Sequence, residues 1–155
     1  MDIFLYCDAD VGVWCNIMST EQESNLGPEE HADMVRRAHQ AFKSQDMETV
    51  EELFADDIVW RVPGEGRAAT VDHGMEEVYK NFGELVELTD GTYEAEGLDY
   101  LGGEDHAIAV ANVTAERDGE TLDLNEFVLF RVEDGEFVEA WHIPFDLYEW
   151  DSFFE

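Results

Sequence analysis

Apolar and polar residues alternate most regularly between Asp105 and Asp146, in the runs HAIAVANVTAER, TLDLNEFVLFRVE and EFVEAWHIPFD, which are separated by Asp118-Gly119 and Asp134-Gly135. Period-two alternation marks half-buried strands, and Asp-Gly tolerates the positive φ of a two-residue hairpin turn. Three consecutive antiparallel strands are therefore predicted. Two-residue loops also fix the register, placing Glu126 opposite Ala111 on one side and Ile143 on the other. One face then carries Ala107, Ala109, Ala111, Leu122, Leu124, Glu126, Val128, Phe130, Val132, Phe137, Glu139, Trp141 and Ile143, and it reads as the core face. The other carries Ile108, Val110, Asn112, Asn125, Phe127, Leu129, Val138, Ala140 and His142. The core face has one anomaly near its centre, the carboxylate of Glu126.

Upstream, the period lengthens to that of helices. Pro28 suits a first helical turn, Glu29 and Glu30 favour the positive end of the helix dipole, and Val35, Ala38, Ala41 and Phe42 fall on one face as far as Gln45. Asp46 caps a short second helix with Met47, Val50, Leu53 and Phe54 inside, and Asp56-Asp57 breaks to a strand, IVWRV, with Trp60 at its middle. Pro63 to Gly74 reads as a loop, of the kind that borders sites. Met75 to Leu88 forms a third helix with Val78, Phe82, Leu85 and Val86 as its buried stripe. A strand bearing Tyr93, Ala95, Leu98 and Tyr100 follows, with a bulge expected at Gly97. The order of elements makes this an α+β protein with helices packed on one face of a sheet.

At 155 residues the chain fits a single domain, set here at 28–155 with an N-terminal extension over 1–27 that is open to disorder. The 39 acidic against 8 basic residues give a net charge of −31, while 45% apolar content and 10 Phe exclude a disordered chain. An acidic shell on a folded core points to a salt-accumulating, halophilic cytoplasm, where at molar salt the Debye length shrinks to about 3 Å. No basic stripe exists to release counterions from phosphate, so nucleic acid is excluded as a partner. No apolar run reaches membrane-spanning length, and Asp2, Asp8 and Asp10 argue against a secretory leader. Cys7 and Cys15 both precede the domain, so no disulfide framework is expected and a cytoplasmic location fits.

The segments ADDIVWRVPGEG, GMEEVYKNFGELVELTDGTY, AERDGE, FRVEDGEFVEAW and FDLYEWDSFF together resemble SnoaL-like proteins, over about residues 30–155. That family belongs to the superfamily of nuclear transport factor 2 and ketosteroid isomerase. The resemblance implies a curved, cone-shaped mixed or antiparallel sheet wrapped by three helices, a pocket for a small hydrophobic molecule inside the cone, and a homodimer through the sheet's outer face. Val128 stands where many members carry a strand histidine, and Arg61 where relatives often have one after the tryptophan. Asp146 matches the aspartate that follows the tryptophan strand in the family pattern.

Glu126 is the first candidate for chemistry. A carboxylate on a core face is costly unless it is partnered or opens into a cavity, and in the inferred register neither Ala111 nor Ile143 offers a partner. It is read as a general acid or base, against the alternative of a solvated or Arg117-paired residue. Asp146 is the second, either activating water or, because Asp146-Leu147-Tyr148-Glu149 has capping-box spacing, only starting a helical turn. Trp60, Val128, Phe130 and Trp141 are expected to wall the pocket, with His73 at its entrance. His142 falls on the outer face by alternation. No metal-ligand spacing, phosphate loop or nucleophile elbow occurs, so no metal or cofactor is called for. Two functions fit: a cofactor-independent isomerase, cyclase or hydrolase using Glu126 and Asp146, or a non-catalytic ligand-binding or assembly domain.

Overall fold

A computed structural model describes residues 26–155; the two cysteines and most of the expected extension lie outside the described residues. Helix α1 (Pro28–Ser44) starts where proline and glutamate predict, the Glu30 carboxylate accepting the Gly27 N–H at 3.0 Å, and it ends on Gln45 in the left-handed region. Asp46 accepts the Thr49 N–H and so begins α2 (Met47–Leu53), although Met47 is exposed rather than inside. Strand β1 (Phe54–Val62) then starts without a break. Asp56 and Asp57 lie inside it, both exposed, in a stretch where its pairing with the last strand shifts register.

The predicted loop contains a short strand, β2 (Thr70–His73), antiparallel to β1. It was hidden because an edge strand of this length shows too few alternations to read. Helix α3 (Met75–Leu88) has the predicted bounds, but Val86 is exposed. Strands β3 (Glu94–Gly102), β4 (His106–Arg117), β5 (Glu120–Glu133) and β6 (Glu136–Pro144) follow, and α4 (Leu147–Phe153) closes the chain as a fourth helix beyond the three expected.

The six strands form one curved mixed sheet in the order β2-β1-β6-β5-β4-β3, in which only β1 and β6 are parallel. The bulge in β3 falls between Gly97 and Asp99, as expected. Asp118, Gly119, Asp134 and Gly135 all have positive φ, as the two hairpin turns demand. Helix α1 packs on β3 and β4 and α3 on β1 and β2, so the helices cover the concave face. Val35, Val50, Phe54, Ile58, Val78, Leu122 and Phe137 are fully buried between the layers. Among the described residues no helix is long and apolar enough to cross a membrane.

Candidate functional site

The first central hairpin has the predicted register, with Ala111 opposite Glu126. The second does not. Val132 pairs with Phe137 but Arg131 pairs with Glu139, so Val138 is an extra residue in β6, a β-bulge. Because side chains alternate, one extra residue sends every later one to the opposite face. Ala140 and His142 turn inward, while Glu139, Trp141 and Ile143 turn outward. Polar pairing favours this register: Glu139 accepts from Arg131 Nε at 2.8 Å and lies 3.2 Å from Arg61, and these contacts hold its carboxyl below the usual carboxylate range. The Arg61 guanidinium also covers the Trp141 ring, 5.2 Å from its centre.

The inward turn gives Glu126 the partner that regular alternation denied it. His142 pairs across the ladder with Val128, one diagonal step from Glu126, and its Nε2–H donates to Glu126 Oε2. This is the tautomer that an acceptor-only carboxylate selects. The two residues are 4% and 6% exposed, so little bulk water reaches the contact. Trp150 from α4 stands edge-on to the imidazole, with ring centres 4.7 Å apart, and fixes its plane. Val128, where a strand histidine was absent, therefore faces a histidine supplied by the neighbouring strand.

Both members of the pair line a cavity of about 740 Å³ between the sheet and helices α1 and α3. Its walls are mainly apolar and aromatic, including Phe42, Phe54, Trp60, Phe82 and Phe130, and its rim carries Lys43, Glu87 and Glu94. A space of this size, apolar with a few converging polar groups, suits a small organic molecule. The arrangement holds an imidazole in place with a buried carboxylate behind it, the constellation that general acid–base chemistry uses.

Of the residues singled out from sequence, Glu126, Trp60, Val128 and Phe130 line this cavity. Trp141 does not, being turned to the outer face by the Val138 bulge. His73 is exposed at the end of β2, where its backbone N–H donates to Glu77, and it is not part of the cavity wall. Asp146 is exposed and accepts the Glu149 N–H at 3.0 Å as the cap of α4, which is the helix-start alternative. Arg117 does not pair with Glu126; it donates instead to the Phe153 and Glu155 carbonyls. Sequence reasoning missed His142, and its signal was the pair of glutamates, 126 and 139, on one supposed core face. Moving Glu139 opposite Arg131 costs one extra residue in β6 and gives both carboxylates a partner. Among the described residues no group of three or more His, Cys, Asp or Glu is placed to hold a metal ion.

The SnoaL-like domain family matches residues 35–140 of the chain. An uncharacterised protein of Mycobacterium tuberculosis is 35% identical over 104 residues, which span 66% of this chain and 79% of that one. Among solved structures, Bal32a from a soil-derived mobile gene cassette superposes with a TM-score of 0.76 at 36% identity, covering 82% of this chain and 98% of its own. IdmH of Streptomyces antibioticus, a candidate polyketide cyclase, shares the fold at a TM-score of 0.60 and 22% identity, over 75% of this chain and 92% of its own.

Proposed function

Given that the chain belongs to the SnoaL-like domain family, we propose that it binds a small hydrophobic molecule in the cavity and moves a proton on it without a cofactor, through the pair Glu126 and His142. The observation that carries this reading is a carboxylate and an imidazole bonded to each other, nearly sealed from bulk water, on the wall of a cavity of about 740 Å³. His142 takes a proton from an acidic C–H or O–H of the ligand and returns it elsewhere, while Glu126 steadies the imidazolium that forms. Trp60, Val128 and Phe130 supply apolar wall for the body of the ligand. Isomerisation, ring closure and hydrolysis all contain such a step. Asp146, committed to its helix cap, has no part in it.

The reading also includes a homodimer through the outer sheet face and a halophilic, salt-rich cytoplasm. What supports the dimer is that Ile108, Val110, Phe127, Leu129, Trp141 and Ile143 are only partly covered on that face, and that Phe145 beside Phe127 is 63% exposed. The charge of −31 supports the salt-rich setting.

The test is deuterium uptake at C2 of 1-tetralone, an enolisable aromatic ketone, followed by NMR in heavy water. The wild-type protein should accelerate exchange over buffer, and Glu126→Gln and His142→Gln should each lower that acceleration by about 100-fold or more while keeping the fold. Equal exchange with wild type and Glu126→Gln refutes the acid–base pair and leaves a binding domain.

A further inference from the structure

Tyr93 stands where α3 hands over to β3, and its backbone is held from several sides. Asp90 and Gly91 both have positive φ, and the Gly91 N–H reaches the Val86 carbonyl at 2.8 Å. The neighbouring Thr92 hydroxyl accepts the Glu116 N–H at 2.8 Å and has the Thr89 and Glu116 carbonyls at 2.7 and 3.0 Å to donate to. The turn is thereby tied to the end of β4, and the residue that follows enters the cavity wall from a fixed base. Tyr93 is half-buried and packs against the core, yet among the described residues no group bonds its hydroxyl.

From this placement we infer that Tyr93 is the residue that selects the ligand: its phenol O–H donates to a neutral acceptor oxygen, such as a ketone carbonyl, while the Glu126–His142 pair addresses a different atom of the same molecule. The inference rests on the acid–base reading for the second half of that statement only. Three features direct it. A donor on a rigid support and without an internal partner gains more from a ligand acceptor than one that must first break a bond. The cavity wall around Glu126, at Ala109, Ala111 and Val128, is apolar and offers no competing side-chain donor or acceptor beside the pair. Burial also pushes the Tyr93 phenol well above the ordinary tyrosine range, and the nearby charge of Glu126 adds to the push, so the hydroxyl keeps its proton as a donor. The same negative charge disfavours an anionic ligand there, which leaves uncharged oxygen acceptors as the class selected.

The experiment compares 1-tetralone with tetralin, the same bicycle without the carbonyl, by quenching of tryptophan fluorescence, since Trp60 and Trp150 line the cavity. Wild type should bind the ketone roughly two- to tenfold more tightly, the range of one neutral hydrogen bond. Tyr93→Phe should reduce that preference to about one while tetralin affinity stays unchanged. Glu126→Gln should keep it. A wild-type protein with no preference for the ketone, or a Tyr93→Phe variant that retains the preference, overturns the assignment. Loss of the preference in Tyr93→Phe with exchange unchanged in Glu126→Gln would refute the acid–base pair and uphold Tyr93 as the selecting donor.

Discussion

Removing one member of the Glu126–His142 pair should harm the protein far more than removing both. His142→Leu fills much of the imidazole's space but leaves a carboxylate that is 4% exposed without its partner. Breaking a buried pair in this way costs about 3–5 kcal/mol, and the adjoining cavity, which admits some water to the orphaned group, favours the lower end. For a domain of this size that is a fall in Tm of roughly 10–15 °C. Glu126→Gln is milder, about 1–2 kcal/mol, because the amide oxygen still accepts from His142 Nε2–H and only the charge assistance is lost. The double variant Glu126→Leu/His142→Leu should return to within about 1 kcal/mol of wild type or exceed it, since two apolar side chains suit a wall that already holds Val128 and Trp150. Urea unfolding of wild type, Glu126→Leu, His142→Leu and the double variant at about 2 M KCl, where the surface charge is screened, closes one double-mutant cycle. Single variants whose losses simply add in the double would show that the two residues do not interact, and the site as described would be wrong.

Three other outcomes follow from charge and burial. The thermal midpoint should climb from roughly 0.1 to 3 M KCl as the charge of −31 is screened, and a flat series would remove the salt argument. Sedimentation at high salt should give twice the chain mass of 17.7 kDa, and Phe127→Asp on the outer face should give the single mass; a monomeric wild type at micromolar concentration refutes the dimer. Asp72 is 6% exposed, with Thr70 donating to one carboxylate oxygen and the other left without a partner among the described residues, and burial outweighs the Thr70 hydrogen bond to push its pKa up. A raised folded-state pKa means stability that is full below the unfolded value and lost as pH rises through the folded one, so Asp72→Asn should raise the midpoint at neutral pH and flatten the profile above pH ~4. A variant less stable than wild type at neutral pH would show that the carboxylate is needed there.

The helices and the first hairpin were legible because each signal was local. Pro28, the Asp46 cap and the stripe from Val78 to Leu85 act within one or two turns, and Asp118-Gly119 sets its own register. What was not legible depended on residues distant in sequence. Strand β2 exists because Thr70 to His73 finds the edge of β1. The position of α4 is set by Asp151, which accepts the Glu65 and Gly66 N–H groups of the loop after β1, and by Phe154, whose carbonyl accepts the Arg67 N–H. Neither contact has a local sequence signature.

The Val138 bulge shows how much one such contact decides. Regular alternation through β6 would put Glu139 on the inner face opposite Phe130, expose Ala140, and leave Arg131 opposite an apolar residue. The extra residue replaces that arrangement with Glu139 between Arg131 and Arg61 on the outer face and His142 against Glu126 on the inner one. The gain in the first contact is modest, since the groups are partly solvated. The second avoids an unpartnered buried carboxylate, a cost of several kcal/mol. Electrostatics therefore favours the irregular strand over the ideal one by more than the ladder bond a bulge forfeits. The same displacement that completes the candidate site also moves Trp141 and Ile143 to the outer face, where they enlarge the apolar surface proposed for the dimer. Pocket chemistry and the outer face are thus coupled through one residue, and a change at Val138 that restored regular pairing would disturb both together.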